Sequence, residues 1–253
     1  MSAPLIRTEN LHKRFGDHAV LKGLSLDFEA GTTTVILGGS GSGKSVFMKH
    51  LIGLLRPDRG RVIVEGEELS RLTRADLNRI RRSFGMVFQM AALFDSMTVF
   101  ENVAFPVREG GRHAESQIRS RVMERLEALD VAHAAHKYPA ERSGGMRKRI
   151  GLARAVVLDP QIVLYDEPTT GLDPLTTRSV DEMILAAKAA FGVTGVVISH
   201  DIGSALRVAD RLAFLHDGVI VEQGPPDAFR RSEHPEVRRF LDAWSDQLEG
   251  KRP

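Results

Sequence analysis

Apolar and polar positions alternate along the first stretch of the chain. Leu5, Arg7 and Glu9 stand against Ile6 and Thr8; later Leu24, Leu26 and Phe28 stand against Ser25 and Asp27. A period of two predicts antiparallel strands over 5–28, reversed at Phe15-Gly16-Asp17. Then the pattern changes. Thr34-Val35-Ile36-Leu37 is a short β-branched apolar run, which reads as a buried parallel strand. Further strands are predicted at Arg61–Val64, Phe84–Phe88, Ile162–Tyr165 and Gly195–Ser199. A closing hairpin is expected from 211 to 222 around Asp217-Gly218. Helical spacing runs from Val46 to Leu55, through Val99, Val103 and Val107, and through Ile118, Val122, Leu126 and Leu129. Thr73 to Asp76 forms a capping box for a short helix to Arg82. Ser143, Asp173-Pro174 and Asp201 each open a later helix. Strands alternating with helices predict an α/β fold. Its sheet is mostly parallel, with an antiparallel β portion and an inserted α-helical region over 90–157.

Composition narrows the classes without choosing among them. The 253 residues suffice for one large domain or a core with a subdomain. A formal charge of +2 does not suggest nucleic acid as a partner. The absence of cysteine excludes disulfides, thiolate chemistry and cysteine zinc sites. The opening Met1-Ser2-Ala3-Pro4 leads straight into polar alternation, so no signal peptide is expected. No apolar run approaches the ~20 residues of a membrane span. Any membrane role is expected to come through a partner.

The chemistry begins at Gly38-Gly39-Ser40-Gly41-Ser42-Gly43-Lys44-Ser45, which fits G-x-x-x-x-G-K-[ST]. A strand precedes it and a helix follows, so backbone N–H groups and a helix N-terminus converge where an anion is stabilised. Glycines let the backbone close round a phosphate chain. Lys44 would reach the β/γ-phosphates and the Ser45 hydroxyl would ligate Mg²⁺. Gln89, Asp166-Glu167 and His200 all fall at the carboxyl ends of predicted strands, where ligands bind in such sheets. Asp166 can hold Mg²⁺, directly or through a water, and Glu167 can align or deprotonate an attacking water. His200 and Gln89 are candidates to contact the γ-phosphate, the water or the metal. Ser143-Gly144-Gly145 offers a second anion-binding helix start. It is either an ordinary capped helix or a contact with the nucleotide of a second copy under twofold symmetry. The run Arg147-Lys148-Arg149 reads as a solvated helix face. The final stripe Val237, Phe240, Leu241, Trp244 and Leu248 packs either on its own domain or on a second copy. Phe15 by itself reads as a loop residue over the core.

Together these residues resemble the ATPase subunit of an ABC transporter, over nearly the whole chain. The resemblance implies Walker A at Gly38 to Ser45 with Val46 beside it, Walker B at Ile162 to Glu167, and a Q-loop at Gln89. It also implies the signature at Ser143-Gly144-Gly145, the D-loop at Gly171-Leu172-Asp173 and the switch histidine at His200. Phe15 falls where the family stacks an aromatic ring on adenine. The implied cofactors are ATP and Mg²⁺, with Ser45, Gln89 and Asp166 at the metal and Glu167, His200, Lys44 and Gln89 catalytic. The implied domains are a nucleotide-binding core over 1–89 and 158–230, a helical subdomain over 90–157, and a C-terminal helix within 231–253. The signature departs from the usual leucine-first, glutamine-last form, with Arg142 before it and Met146 ending it.

The segments Gln89–Val99, Glu101–Pro106, Ser143–Arg149 and Pro235–Asp242 are similar to ATPases of the maintenance-of-lipid-asymmetry, Mce-type phospholipid transport systems. That resemblance implies a homodimer on two permease chains with a periplasmic lipid-binding subunit, at the cytoplasmic face of the inner membrane. The alternatives are a cassette of another importer or exporter, a soluble ABC ATPase of DNA repair or translation control, and a non-enzymatic nucleotide-binding module. Intact Glu167 and His200 speak against the last. Single-cassette length without long coiled coils speaks against the soluble class.

Overall fold

The computed structural model describes residues 3–111 and 113–249; Met1-Ser2 and positions 250–253 of the expected C-terminal segment lie outside the described residues. In chain order the strands are β1 (Ile6–Phe15), β2 (His18–Phe28), β3 (Thr33–Leu37), β4 (Arg59–Val64), β5 (Glu67–Glu68), β6 (Phe84–Val87), β7 (Ile162–Asp166), β8 (Thr194–Ser199), β9 (Arg211–His216) and β10 (Val219–Gly224). The helices are α1 (Lys44–Leu51), α2 (Arg74–Arg81), α3 (Val99–Glu109), α4 (Glu115–Ala128), α5 (Gly144–Val156), α6 (Pro174–Phe191), α7 (Ile202–Val208), α8 (Pro226–Arg230) and α9 (Pro235–Glu249). The described residues form two compact units, one drawn from 1–77 and 198–253, the other from 78–197.

The first unit holds an antiparallel sheet in the order β2-β1-β4-β5. Thr8 ties its first hairpin twice: its hydroxyl donates to the Leu26 carbonyl and accepts from the Leu26 amide. Asp58 ties the far end, accepting from Lys13 Nζ at 2.9 Å and the Arg14 amide at 2.7 Å. Beside this, β3 pairs in parallel with β9, and β9 runs antiparallel to β10. All five β3 residues are buried, as a strand covered on both faces requires.

The first helix stops earlier than its apolar pattern. It ends at Leu51, because Gly53 turns left-handed and Leu54 points outward. Its Phe47 ring stacks on Phe28 at 6.3 Å. The C-terminal stripe resolves to packing on its own chain. Val237 and Leu241 are buried, the Phe240 ring lies 5.1 Å from Phe214, and Trp244 lies against Gly203. The Leu248 side chain lies outside the described residues. Fully burying a valine or leucine is worth about 1.5–3 kcal/mol, so Val237 and Leu241 contribute to holding α9 against its own chain.

One buried group makes the first unit sensitive to acid. His50 on α1 is fully buried; Nδ1 donates to the Val46 carbonyl at 2.7 Å, while Nε2 meets no hydrogen-bond partner. Burial holds its pKa below the usual histidine value, the Val46 bond opposes, and Lys13 adds to the lowering. The unfolded chain therefore takes up this proton first. The stability contribution is full above about pH 6.5 and is lost as the pH falls below that value. His50→Leu is expected to flatten the fall in urea midpoint between pH 7.5 and 5. Parallel curves for the two proteins would show that another group carries it.

The second unit pairs β6 with β7 in parallel, from Phe84 beside Ile162 to Val87 beside Tyr165, and β8 flanks β7. Helix α3 begins in a full capping box: Thr98 accepts from the Glu101 amide, and Glu101 accepts from the Thr98 amide at 2.7 Å. The buried Asn102 then stitches the loop before it, accepting from the Phe94 amide and donating to the carbonyls of Phe94, Met97 and Thr98. The turn after α5 is held to α4 by Arg121 and Arg125, both on Asp159. Among the described residues no helix is long and apolar enough to cross a membrane.

Candidate functional site

In the first unit, β3 delivers the chain to Gly38 and α1 leaves from Gly43. Neither glycine can be replaced without moving backbone. A Cβ on Gly38 would stand 2.3 Å from the Leu215 carbonyl oxygen and 2.8 Å from Ser42 Oγ. Gly43 has φ +105°, and a Cβ there would press on Val20 and Leu21 of β2. No side chain caps α1 and no acid sits in its first turn, so its N-terminal amides and dipole face outward together. Lys44 is buried and folds back into the loop, donating to the carbonyls of Gly38 at 2.8 Å and Gly39 at 3.0 Å. Ser42 Oγ is buried with no partner. A cradle of amides, a folded-in ammonium and an orphaned hydroxyl fit a phosphate chain. Ser45 is exposed at the rim and Val46 half-buried behind it.

Phe15 ends β1 on the same hairpin whose β2 backs Gly43. Its ring is 49% exposed, with Lys13 Nζ 5.6 Å from the centroid. A core-covering residue would be more enclosed; this ring presents a face. His200 is exposed directly after β8. The turn that carries it is fixed on either side: the Asp201 amide donates to Ser199 Oγ, and Asp201 Oδ1 accepts from the Ser204 amide.

The second unit carries the remaining residues. Strand β7 ends on Asp166, and Glu167 follows in the left-handed region at φ +47°. Such a conformation costs a non-glycine residue on the order of 1 kcal/mol and persists only when neighbours enforce it. Thr170 is one such neighbour. Its hydroxyl donates to Glu167 Oε2 at 3.1 Å, a positioning contact that the strand pattern did not reveal. Gln89 is exposed beyond β6.

Ser143 caps α5, its Oγ accepting from the Met146 amide at 3.4 Å. Asp173 caps α6, accepting from the amides of Leu175 and Thr176 and from the Thr176 hydroxyl, which holds its carboxyl below the usual range. These two helix starts adjoin: Gly144 and Gly145 lie against Leu172 and Thr176. Arg142 precedes the turn with its Nε buried and without a hydrogen-bond partner. Its half-buried side chain lies 3.8 Å from Glu141, and its carbonyl accepts from Arg147 at 2.9 Å.

The expectation of a solvated face at Arg147-Lys148-Arg149 is overturned. Lys148 is 4% exposed and donates to the Gln89 carbonyl; burial pushes its ammonium below the usual lysine range. Arg149 donates to the Leu129 carbonyl and to Ser179 Oγ. The run spans more than half a helical turn, so it faces inward on at least one side. Sequence alone gave no sign of the carbonyls waiting there.

Among the described residues no group of three or more His, Cys, Asp or Glu side chains could hold a metal ion by itself. The Ser45 hydroxyl and the Asp166 carboxylate, each taken by itself, are hard oxygen donors of the kind Mg²⁺ accepts.

Comparisons with known proteins place the chain in a family. The sequence profile of the ABC transporter family matches residues 21–170. The chain is 44% identical over 236 residues to the probable ribonucleotide transport ATP-binding protein mkl of Mycobacterium leprae, covering 93% of this chain and 68% of that protein. It is 37% identical over 246 residues to the intermembrane phospholipid transport system ATP-binding protein MlaF of Haemophilus influenzae, covering 97% and 93%. Among solved structures, the dimeric post-hydrolysis state of the ATP-binding cassette MJ0796 bound to ADP and Pi superposes with a TM-score of 0.76 at 30% identity, covering 87% of this chain and 98% of that one. The chain belongs to the ABC transporter family, as an ATPase cassette.

Proposed function

We propose that this cassette drives phospholipid movement across the bacterial cell envelope, as a homodimer bound to two permease chains with a periplasmic lipid-binding subunit. It works at the cytoplasmic face of the inner membrane, held there by the permease. Phe15 stacks on adenine. The amides of Gly38 to Val46 and the Lys44 ammonium neutralise the phosphates. Ser45, Asp166 and Gln89 hold Mg²⁺, which when bound offsets charge developing on the phosphate oxygens. Glu167 accepts the proton of the attacking water, and His200 contacts the γ-phosphate. Ser143 and Gly145 meet the triphosphate of the second copy, with Asp173 fixing the neighbouring helix start. The helices over 90–157 act as a subdomain that carries this turn.

The observation that supports coupling to a permease is a groove of about 390 Å³ in the second unit. It is lined by Phe84, Phe94, Phe105 and Pro106, with Arg81 and Arg154 supplying positive charge. The Phe94 and Phe105 rings pack at 5.0 Å, and Met90, four residues before Phe94 in the chain, is 81% exposed. An apolar slot with a basic edge suits an amphipathic helix bearing a carboxylate. Its lining brackets Gln89 in the chain, with Phe84 to Met86 before it and Phe94 after it, so a load there is placed to reach Gln89.

The two relatives are named for different cargoes, and the wide likeness to MlaF favours lipid. The test is purification from membranes with the permease, followed by reconstitution in liposomes. Phospholipid in the purified complex and ATP-dependent movement of a fluorescent phospholipid are expected. A cassette that never associates with a permease, or a complex whose hydrolysis answers to ribonucleotide and not to lipid, overturns the reading.

A further inference from the structure

The segment after β6 is held by side chains from α5, sixty residues later in the chain. Ala91 and Ala92 both stand in the left-handed region, at φ +59° and +47°. L-residues seldom adopt that conformation in succession. One bond inside the turn, from the Ala91 amide to the Phe88 carbonyl, does not account for it. The carbonyls do. Gln89 accepts from Lys148 Nζ; Ala91 accepts from Arg154 Nη2 at 2.9 Å, and Ala92 from Arg154 Nη1 at 2.8 Å.

Lys148, Gly151 and Arg154 are three apart and lie along one ridge of α5. Between the two cations, Gly151 permits close approach: a Cβ there would stand 3.4 Å from the Ala91 Cβ. The Arg154 guanidinium also lies 5.9 Å from the Phe94 ring. Bonds from charged donors inside a protein are strong and directional. If Lys148 served packing alone, an apolar side chain of equal length would cost less to bury.

We infer that Lys148 and Arg154 are positioning residues that fasten the Gln89 backbone to α5, so that the Ser143–Gly145 turn and the Gln89 amide move as one piece. Any shift of the helix start on meeting a second triphosphate is thereby delivered to Gln89. The inference rests on the reading above that Gln89 acts at the metal.

The experiment measures ATP hydrolysis against Mg²⁺ concentration for the wild-type chain, Lys148→Met, Lys148→Arg and Gln89→Ala. Lys148→Met is expected to lower kcat by about tenfold and to raise the Mg²⁺ needed for half-maximal rate, with ATP KM changed less than about threefold. Lys148→Arg is expected to recover most of the rate. Hydrogen exchange at 88–93 should quicken in Lys148→Met while the core of β7 stays protected. Wild-type kcat and Mg²⁺ dependence in a folded Lys148→Met, with Gln89→Ala impaired, overturn the positioning role alone. A Gln89→Ala chain with unchanged Mg²⁺ dependence removes the role of Gln89, and this inference with it. Should Lys148→Met fail to fold, Arg154→Met in the same assay decides, with the same expected loss.

Discussion

Glu167→Gln is expected to bind ATP with near wild-type affinity and to hydrolyse it at least about 10²-fold more slowly, the usual contribution of a general base. The substitution keeps the shape of the side chain and its acceptor oxygen. The bond from Thr170 can therefore survive, and so can the left-handed turn at Glu167. What is lost is basicity. A neutral amide cannot take the proton that the attacking water must shed. Binding, which on the proposed reading draws on the loop from Gly38 and on Lys44, is expected to stay intact. The bound triphosphate should then persist, and with it the contact made by the Ser143 turn of a second copy. Gel filtration with ATP is expected to show a stable dimer for the variant and a transient one for the wild type. Substantial steady-state hydrolysis by Glu167→Gln would take the proton-accepting role away from Glu167.

The parts of this site that were legible beforehand share one property: their chemistry is local in the chain. Gly38 to Ser45 can be read because its pattern of glycines, lysine and serine is complete within eight consecutive residues, although the atoms that exclude a Cβ at Gly38 and Gly43 belong to Leu215, Val20 and Leu21. Asp166-Glu167 can be read because four apolar residues announce the strand that ends on them. Asp173-Pro174 is a cap in its own letters, and the structure puts three hydrogen bonds on it. Lys148 was misread for the opposite reason. Its burial is decided by the carbonyls of a turn near position 90, and nothing adjacent to it signals that turn. Thr170 was overlooked because a hydroxyl three residues beyond Glu167 has meaning only once Glu167 is known to be left-handed. The C-terminal stripe showed an apolar face but not its cover; Phe214 and Gly203 supply that. Periodicity also overran the first helix, since Leu54 and Leu55 keep the pattern after Gly53 has ended the geometry.

Lys44→Ala is the second large effect, and it acts on binding as well as on rate. The ammonium does two things in the folded chain. It satisfies the carbonyls of Gly38 and Gly39, and it supplies a unit of positive charge at the floor of the loop. Removing a donor aimed at developing phosphate charge costs about 10²–10³-fold in rate by analogy with oxyanion-site donors. Losing a charge-assisted hydrogen bond costs about 1.5–3 kcal/mol of binding, or roughly tenfold or more in affinity. The two carbonyls left without their donor should also lower the unfolding temperature of the empty protein by a few degrees. These effects separate by experiment. ATP is expected to lose more affinity than ADP in Lys44→Ala, because the charge serves the terminal phosphates, whereas loop distortion would weaken both alike. Equal losses for the two nucleotides would assign Lys44 to shaping the loop. Hydrolysis at wild-type rate in a folded Lys44→Ala would exclude it from phosphate recognition altogether.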